Sequence, residues 1–247
     1  MTFTKEGKMN LLVVNPNTSD AMTEDIRRSV ERIKYSETSV TVMGLDFGPE
    51  SLESFYDYTL SGFGLCRLLE KRKDLYDGIL IACYGDPGLY AAKEICTCPV
   101  IGIAEASMSV SLLLGSRFSI LAASEKAVPM MENMISQYGM QDRSAGVYSI
   151  NMSVLDAETA KDETIGRLLK EGKKAISKGA EVLILGCAGM TGLGETVSRI
   201  LEVPVIDPVE TAFLTLEMIC RGGLGISKKG LYKTPDEKKI QNKRLLI

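Results

Sequence analysis

Two cysteines, Cys83 and Cys187, stand at matching positions of an internal repeat in this chain. Each follows a short apolar run, at residues 79–82 and 183–186, and each precedes a turn of small residues. A duplicated half-domain that supplies one thiol from each copy can place two thiols on opposite sides of a single cleft. Inversion of a carbon atom requires two acid/base groups that face each other across it. The cysteine pair is therefore the first candidate for a catalytic site.

The repeat is not confined to the cysteines, which are 104 residues apart. Three further features recur in the same order at nearly the same offset: residues 10–17 at 117–124, 107 positions on, and residues 99–101 at 204–206 and Glu105 at Glu210, both 105 positions on. A period this long indicates duplication of a half-domain, because the repeats of solenoid proteins run to tens of residues.

Composition limits the class of protein. The 247 residues are enough for one large domain or two small ones, and the formal net charge is −3. With no basic tract, a nucleic-acid surface is not expected, and no apolar segment is long enough to span a membrane. Six cysteines are too few for a dense disulfide framework. Without a signal peptide, the sequence predicts a cytoplasmic protein with reduced thiols.

Histidine is absent from the sequence. Its absence excludes Ser-His-Asp and Cys-His activation of a nucleophile, and any zinc site that contains histidine. A group that exchanges protons near neutral pH must then be a cysteine, or a carboxyl or lysine with a shifted pKa. This strengthens the case for Cys83 and Cys187.

Apolar runs typical of buried strands alternate with helical patterns in both halves. The predicted strands are 11–14, 39–43, 78–82, 118–121, 147–150 and 182–185, and the longer predicted helices are 55–73 and 158–178. Thr18 or Ser19 is expected to cap the helix after the first strand, and Ser124 its counterpart. Such alternation predicts mainly parallel sheets flanked by helices. Ligands of open α/β sheets bind at the carboxyl ends of the strands, where both cysteines fall.

The residues after each cysteine predict the start of a helix. Asp86-Pro87 has the preferred types for an N-cap and the first helical position, and Thr191 is expected to cap the helix after Cys187. Because the amides and dipole of a helix N-terminus favour a thiolate, lowered thiol pKa values are expected. Glycines in the two turns let backbone amides approach a developing oxyanion; they are Gly85, Gly186 and Gly189.

Other reactive or charged residues favour structural roles. Glu105 and Glu210 each open a predicted helix, where a carboxylate is favourable for dipole reasons alone. The Cys-Thr-Cys at 96–98 lacks the spacer and the second pair of a metal site. The glycine-rich segment 189–194 has neither a P-loop lysine nor dinucleotide spacing, so no nucleotide site is predicted. Packing roles are assigned to Cys66, Cys220, Met130 and Met134.

Four motifs stand in order along the chain, at residues 14–19, 82–88, 99–106 and 186–190. They read VNPNTS, ACYGDPG, PVIGIAEA and GCAGM. Together they resemble hydantoin racemases, which belong to the aspartate/glutamate racemase superfamily and include the allantoin racemases. The resemblance runs from about residue 9 to about residue 230. It implies an α/β fold of two pseudo-symmetric lobes, each a mainly parallel sheet flanked by helices, with the active site in the cleft between them.

The resemblance also implies lobe boundaries and roles for particular residues. Lobe 1 is expected at 9–106 plus 212–230, lobe 2 at 107–211, and terminal extensions at 1–8 and 231–247. Cys83 and Cys187 match the catalytic cysteines of the family. The residues that match substrate-binding positions are Asn15, Asn17, Thr18, Tyr84, Gly85, Ala122, Ala123, Ser124, Ala188 and Gly189.

The implied reaction inverts C5 of a 5-monosubstituted hydantoin. One thiolate removes the C5 proton, the charge moves onto the C4 carbonyl, and the opposite thiol protonates the other face. No cofactor or metal is expected, because the ring is neutral and its carbonyl already acidifies the C5 proton. The expected partner is this small substrate, without nucleic acid or membrane, and the subunits are expected to form a homo-oligomer. The lysine-rich segment from 227 onward is expected to be a loose tail.

Three alternatives remain, in falling order. An aspartate or glutamate racemase is disfavoured by the contexts Cys-Tyr-Gly and Cys-Ala-Gly and by the absence of histidine. An arylmalonate-type decarboxylase is disfavoured because such enzymes keep only one of the two cysteines. A non-catalytic two-lobed binding protein would need no paired thiols. The C5 substituent, whether aryl, alkyl or ureido, stays open.

Overall fold

Two parallel sheets of four strands each form the framework of the molecule. The structure is a computed structural model and describes residues 8–239. The first half contains β1 (Met9–Asn15), α1 (Asp20–Ile33), β2 (Thr38–Gly44), α2 (Phe55–Arg72), β3 (Gly78–Ile81), α3 (Leu89–Ile95), β4 (Val100–Gly102) and α4 (Ile103–Leu114). The second half contains β5 (Phe118–Ala122), α5 (Ala127–Gln137), β6 (Ser144–Ser149), α6 (Val154–Thr159), α7 (Lys161–Ser177), β7 (Val182–Leu185), α8 (Gly194–Leu201), β8 (Val205–Ile206) and α9 (Pro208–Arg221). Short 3-10 turns lie at Lys73–Leu75, Gln141–Arg143 and Ala188–Met190.

The two sheets have the same strand order. The first is β2-β1-β3-β4 and the second is β6-β5-β7-β8, with parallel pairing throughout. The central strands β3 and β7 are buried along their whole length, as expected where helices cover both faces of a parallel sheet. The predicted α/β fold of two lobes with mainly parallel sheets is confirmed, and the repeat read from the sequence corresponds to one copy of the sheet per half.

Two helices cross between the sheets. Helix α4 follows β4 of the first sheet but packs against β5 and β7 of the second. Helix α9 follows β8 of the second sheet but packs against β3 and β4 of the first, and the two helices pack on each other. One hydrophobic cluster therefore joins both sheets, with Leu80 and Ile184 from the strands and Phe213 from α9. The predicted lobe boundaries fall inside α4 and α9 and stay a prediction.

Local differences from the predicted elements have local causes. Ser19 caps α1 as expected, with its Oγ 3.2 Å from the Met22 amide. The prediction for Ser124 is wrong, because a turn closed by its carbonyl separates it from α5, which begins at Ala127 without a side-chain cap. The helix predicted at 158–178 is instead α6 and α7, broken at Ala160, whose φ and ψ are −99° and 59°.

The described part of the C-terminal segment lies against its own chain. Lys228 Nζ donates to the carbonyl oxygens of Lys93 at 2.6 Å and Glu94 at 2.9 Å, at the end of α3. The ring of Tyr232 packs beside Tyr90 and Lys93. The expectation of a loose tail is therefore wrong for residues 228–232. The rest of the predicted extensions, 1–7 and 240–247, lies outside the described residues. Within 8–239, no helix has both the length and the apolar character needed to cross a bilayer.

Candidate active site

Cys83 and Cys187 lie at equivalent places, each two residues past the end of a central strand, β3 or β7. Both side chains line one cavity at the carboxyl ends of the two sheets. Each thiol accepts the amide N–H of the glycine two positions on, from Gly85 at 3.5 Å and from Gly189 at 3.4 Å. The structure thus brings the two predicted thiols to a single cleft through the same local geometry in both lobes.

Burial raises the pKa of both thiols, to about 12 for Cys83 and about 11 for Cys187. The expectation of lowered values is wrong, because neither thiol lies at the N-terminus of a long helix and one glycine amide each does not offset the loss of hydration. The carboxylates of Glu158 and Glu53 raise the pKa of Cys187 further. Ionised Cys187 raises that of Cys83. The pair therefore favours one thiolate facing one thiol, since a second negative charge is opposed.

Asp86 is not the cap of α3 that the sequence predicts. Its backbone has φ +42°, and its carboxylate reaches α4, where it accepts the amides of Ala104 at 3.1 Å and Glu105 at 2.9 Å. The hydroxyl of Tyr138, at the end of α5, donates to the same carboxylate at 2.7 Å. Burial raises the pKa of Asp86 to about 7 against these three donors. A Cβ atom at Gly102 would collide with this carboxylate, so the α4 cap position cannot carry a side chain.

Thr191 does not cap a helix either. Its hydroxyl contacts the Asp207 carboxylate at 3.0 Å, and the Gly192 amide donates to it at 2.6 Å. Asp207 is the N-cap of α9 and accepts the amides of Val209 at 3.0 Å and Glu210 at 3.2 Å. Burial raises the pKa of Asp207 to about 6. In both lobes the turn after the cysteine is thus tied to a helix that begins elsewhere in the sequence, a contact that local patterns do not encode.

The cavity volume is about 40 Å³. A dry cavity that holds benzene measures about 150 Å³, so a ring-sized ligand requires the walls to move apart. Six of the ten predicted substrate-binding residues line it: Asn17, Tyr84, Gly85, Ala123, Ser124 and Ala188. The other four, which do not, are Asn15, Thr18, Ala122 and Gly189.

Asn15 acts on the cavity through Asn17. The buried Asn15 Nδ2 donates to Asn17 Oδ1 at 2.7 Å and to Thr23 Oγ1 at 2.9 Å. Asn17 Oδ1 also accepts the Ser19 amide at 2.9 Å, so the oxygen is occupied and the NH2 group is directed away from it. That group lies 3.2 Å from the Met22 sulfur, a weak acceptor. Asn17 can therefore donate to a ligand carbonyl.

Several lining residues were not predicted. The apolar walls are formed by Met22, Leu52, Met130, Met131 and Val154, so the methionines assigned to packing also line the site. Glu53 comes from the loop before α2, and Tyr58 from its first turns. The Tyr58 ring lies where a side chain at Gly85 would project, and burial raises its pKa. No spacing in the sequence distinguishes these residues, because they reach the cavity through loop and helix placement.

The features that the sequence assigned to structure lie outside the cavity lining. Glu105 is in the first turn of α4 and pairs with Lys93 at 2.5 Å. Glu210 is in the first turn of α9 and pairs with Arg32 at 2.5 Å. Among the residues that the structure describes, no group of three or more His, Cys, Asp or Glu side chains could hold a metal ion.

Comparison with known proteins decides the family. Residues 11–216 match the model of the Asp/Glu/Hydantoin racemase family. The chain belongs to this family. It is 38% identical over 232 residues to a hydantoin racemase of Pseudomonas sp. (strain NS671), with 93% of each chain covered. This racemase is therefore an isomerase.

Solved structures agree with that assignment. An allantoin racemase from Klebsiella pneumoniae has a TM-score of 0.90 at 32% identity, covering 96% of this chain and 98% of that chain. An allantoin racemase from Pseudomonas fluorescens has a TM-score of 0.91 at 31% identity, covering 94% and 99%. A glutamate racemase and an arylmalonate decarboxylase, each 18% identical, share the fold alone.

Proposed function

We propose that this racemase inverts C5 of 5-monosubstituted hydantoins, a class that includes allantoin, with Cys83 and Cys187 as its two acid/base groups and with no cofactor. The observation that carries the proposal is that both thiols line one cavity from equivalent strand ends. The names of the similar proteins, hydantoin racemase and allantoin racemase, support the substrate class.

The mechanism uses one thiolate and one thiol. The thiolate of one cysteine takes the C5 proton, and the electron pair of that C–H bond moves onto the C4 carbonyl. The opposite thiol then donates its proton to the other face of C5, which restores one thiolate and one thiol with their places exchanged. The mutual repulsion of the two charges supports this division of roles, because it disfavours ionisation of both cysteines.

The enolate oxygen at C4 requires hydrogen-bond donors. Asn17 presents its NH2 group, and the hydroxyls of Ser124 and Tyr58 belong to other lining residues. Because burial raises the pKa of Tyr58, its hydroxyl stays a donor at every pH where the enzyme works. Donors held in a cavity closed to bulk water stabilise a developing oxyanion more than water does.

The charge of the cavity favours a neutral ring over an amino acid. Of the described residues that line it, none is a lysine or arginine, and Glu53 supplies a carboxylate. The α-carboxylate of aspartate or glutamate would lie there without a cation, at a large cost in desolvation. A hydantoin carries no such charge. The aspartate/glutamate alternative is thus disfavoured on the geometry of this site.

We also propose a homo-oligomer in the cytoplasm. Leu113 of α4 and Leu214 and Met218 of α9 expose 83%, 41% and 63% of their surface, which favours a contact between subunits. Both catalytic thiols must stay reduced, which a cytoplasmic setting provides. Sedimentation equilibrium tests the assembly, and a monomer at micromolar concentration would contradict it.

Deuterium exchange tests the reaction. Each enantiomer of 5-benzylhydantoin and of allantoin is incubated in D2O with the enzyme, and loss of circular dichroism and deuterium content at C5 are followed against the uncatalysed rate. We expect protein-dependent loss of the signal with one deuterium at C5. Racemisation of free aspartate or glutamate with no acceleration for either hydantoin would overturn the proposal.

A further inference from the structure

A second cavity adjoins the catalytic one. Its volume is about 410 Å³, and it shares the side chains of Glu53 and Ser124 with the catalytic cavity. A third cavity, near Tyr138, shares only Gly85. The large cavity, here called the outer cavity, is further lined by Asn151, Asp156, Glu163 and Arg167.

We propose that the outer cavity receives the C5 substituent of the substrate and that Glu53 selects against substituents with a negative charge. The inference rests on the proposed hydantoin reaction. With the reacting carbon between Cys83 and Cys187, a substituent larger than a methyl group exceeds the 40 Å³ of the catalytic cavity. The junction formed by Glu53 and Ser124 leads into ten times that volume.

The charges that face the outer cavity are mainly negative. Glu53, Asp156 and Glu163 contribute carboxylates, and Arg167 is the cation among the described lining residues. Its guanidinium is already engaged, with Glu163 at 2.6 Å and with the carbonyl oxygens of Ile150 at 3.0 Å and Asn151 at 2.6 Å. A substituent with a carboxylate would therefore meet excess negative charge.

Glu53 is the carboxylate closest to the chemistry. It lines both cavities, and its charge contributes to the raised pKa of Cys187. It is half-buried, and its Oε1 has only the Ser51 hydroxyl at 3.2 Å as a printed-length contact, so it can accept further N–H groups. Amide, ureido or ammonium substituents would find an acceptor at this junction, whereas a carboxylate would be repelled at short range and reduced hydration.

The test uses two substrates of the same shape. Hydantoin-5-acetic acid carries a carboxylate and its primary amide does not, and each rate is divided by its own uncatalysed C5 exchange rate. We expect kcat/KM to favour the amide by about tenfold or more, equivalent to about 1.4 kcal/mol. In Glu53→Gln the preference should fall below about threefold, because the repelling charge is gone.

Glu50→Gln is the matched control. Glu50 is in the same loop, is exposed and does not line either cavity, so its variant should keep the wild-type preference. A wild-type measurement needs no variant: 5-(2-aminoethyl)hydantoin should be turned over at least as well as the amide, and salt should narrow the gap to the carboxylate.

Each result decides the inference. Equal rates for acid and amide in the wild type, or a preference that survives in a folded Glu53→Gln, would overturn it. 5-Methylhydantoin separates this from the reaction itself, because its substituent is small and uncharged. Turnover of the methyl compound with no charge preference rejects only the role of Glu53. No turnover of any hydantoin rejects the proposed function and this inference with it.

Discussion

The turns after the two cysteines meet the same requirement with different residues. In lobe 2 the carboxylate of Asp207 caps α9 from its own N-cap position, and Thr191 of the cysteine turn reaches over to it. In lobe 1 the cap position of α4 is Gly102, and Asp86 of the cysteine turn supplies the carboxylate. The duplicated fold therefore needs an anion at each helix N-terminus but does not fix which strand connection provides it.

The difference changes how each cysteine is held. The Cys83 turn is fixed by a carboxylate with three donors, including Tyr138 of the opposite lobe. The Cys187 turn crosses to the opposite lobe through neutral hydroxyls, from Thr191 to Ser29 at 3.3 Å. Hydrogen bonds that involve a charge are stronger than neutral ones. The two halves of a formally symmetric site are thus held with unequal strength.

Removing either thiol should have the largest effect. Cys83→Ser and Cys187→Ser should each lower racemisation by about 10²–10⁴-fold, the range for a well-placed acid or base. In D2O, each variant should still exchange the C5 proton of one enantiomer, a different one for each cysteine, without inverting it. Circular dichroism and mass spectrometry of the substrate measure both effects. Loss of exchange for the same enantiomer in both variants would break the assignment of one cysteine to each face.

The pH profile should show the next largest effect. Because burial raises the thiol pKa values to about 11 and 12, a thiolate is scarce near neutrality and kcat/KM should rise with pH. The expected slope is about tenfold per pH unit between about pH 7 and pH 9, after subtraction of the uncatalysed rate. A plateau reached below pH 8 would show that a thiol in the working enzyme has a lowered pKa instead.

Asp86→Asn should distinguish the two lobes. An Asn amide at this position directs an N–H donor at groups that are themselves donors, so we expect a loss of about 1.5–3 kcal/mol in the free energy of unfolding. As a positioning residue for Cys83, Asp86 should affect kcat by about tenfold, with little change in KM and mainly for the enantiomer that Cys83 deprotonates. Urea denaturation and steady-state kinetics with each enantiomer give the values.

A double variant provides the control for Asp86. Asp86→Gly with Gly102→Asp places the carboxylate at the α4 cap position, as Asp207 does for α9, and glycine accepts the positive φ at 86. We expect it to recover stability but not kcat, because the tie between the Cys83 turn and Tyr138 is not rebuilt. Equal recovery of both would show that Asp86 acts only as a helix cap.

Thr191→Val should have the smallest effect. It removes neutral hydrogen bonds to Asp207 and Ser29 but leaves the cap of α9 in place. The expected loss is about 1 kcal/mol in stability and below about threefold in kcat. A loss as large as that of Asp86→Asn would show that the two cysteine turns are held equally.

The sequence predicts the framework well because its signals are local. Strands such as Val182–Leu185 are short apolar runs, and the offset between Cys83 and Cys187 follows from duplication of the strand that precedes each. The interpretation of Asp86 fails because Asp-Pro has the local form of a helix cap, while the partner of its carboxylate is 18 and 19 residues away. Glu53 and Tyr58 could not be predicted, because loop placement alone brings them to the cavity.

The thiol pKa values show the same limit in energetic terms. Helix-start patterns after both cysteines indicated a positive potential, whereas the structure places Cys83 six residues before α3 and lets burial dominate. Burial depends on how two lobes close over one another, which no segment of the sequence specifies alone. Resemblance to a family supplied the pairing of the thiols, but not their state of ionisation.

The crossing of α4 and α9 has a consequence for how such a chain can be divided. Each helix completes the core of the half to which it is not joined, so a fragment that ends near residue 115 would carry α4 without the sheet it covers and lack α9 over its own. Two copies of such a fragment could satisfy each other by exchanging that helix. The ancestral half-length protein is then best pictured as a domain-swapped dimer, later joined into one chain by gene fusion.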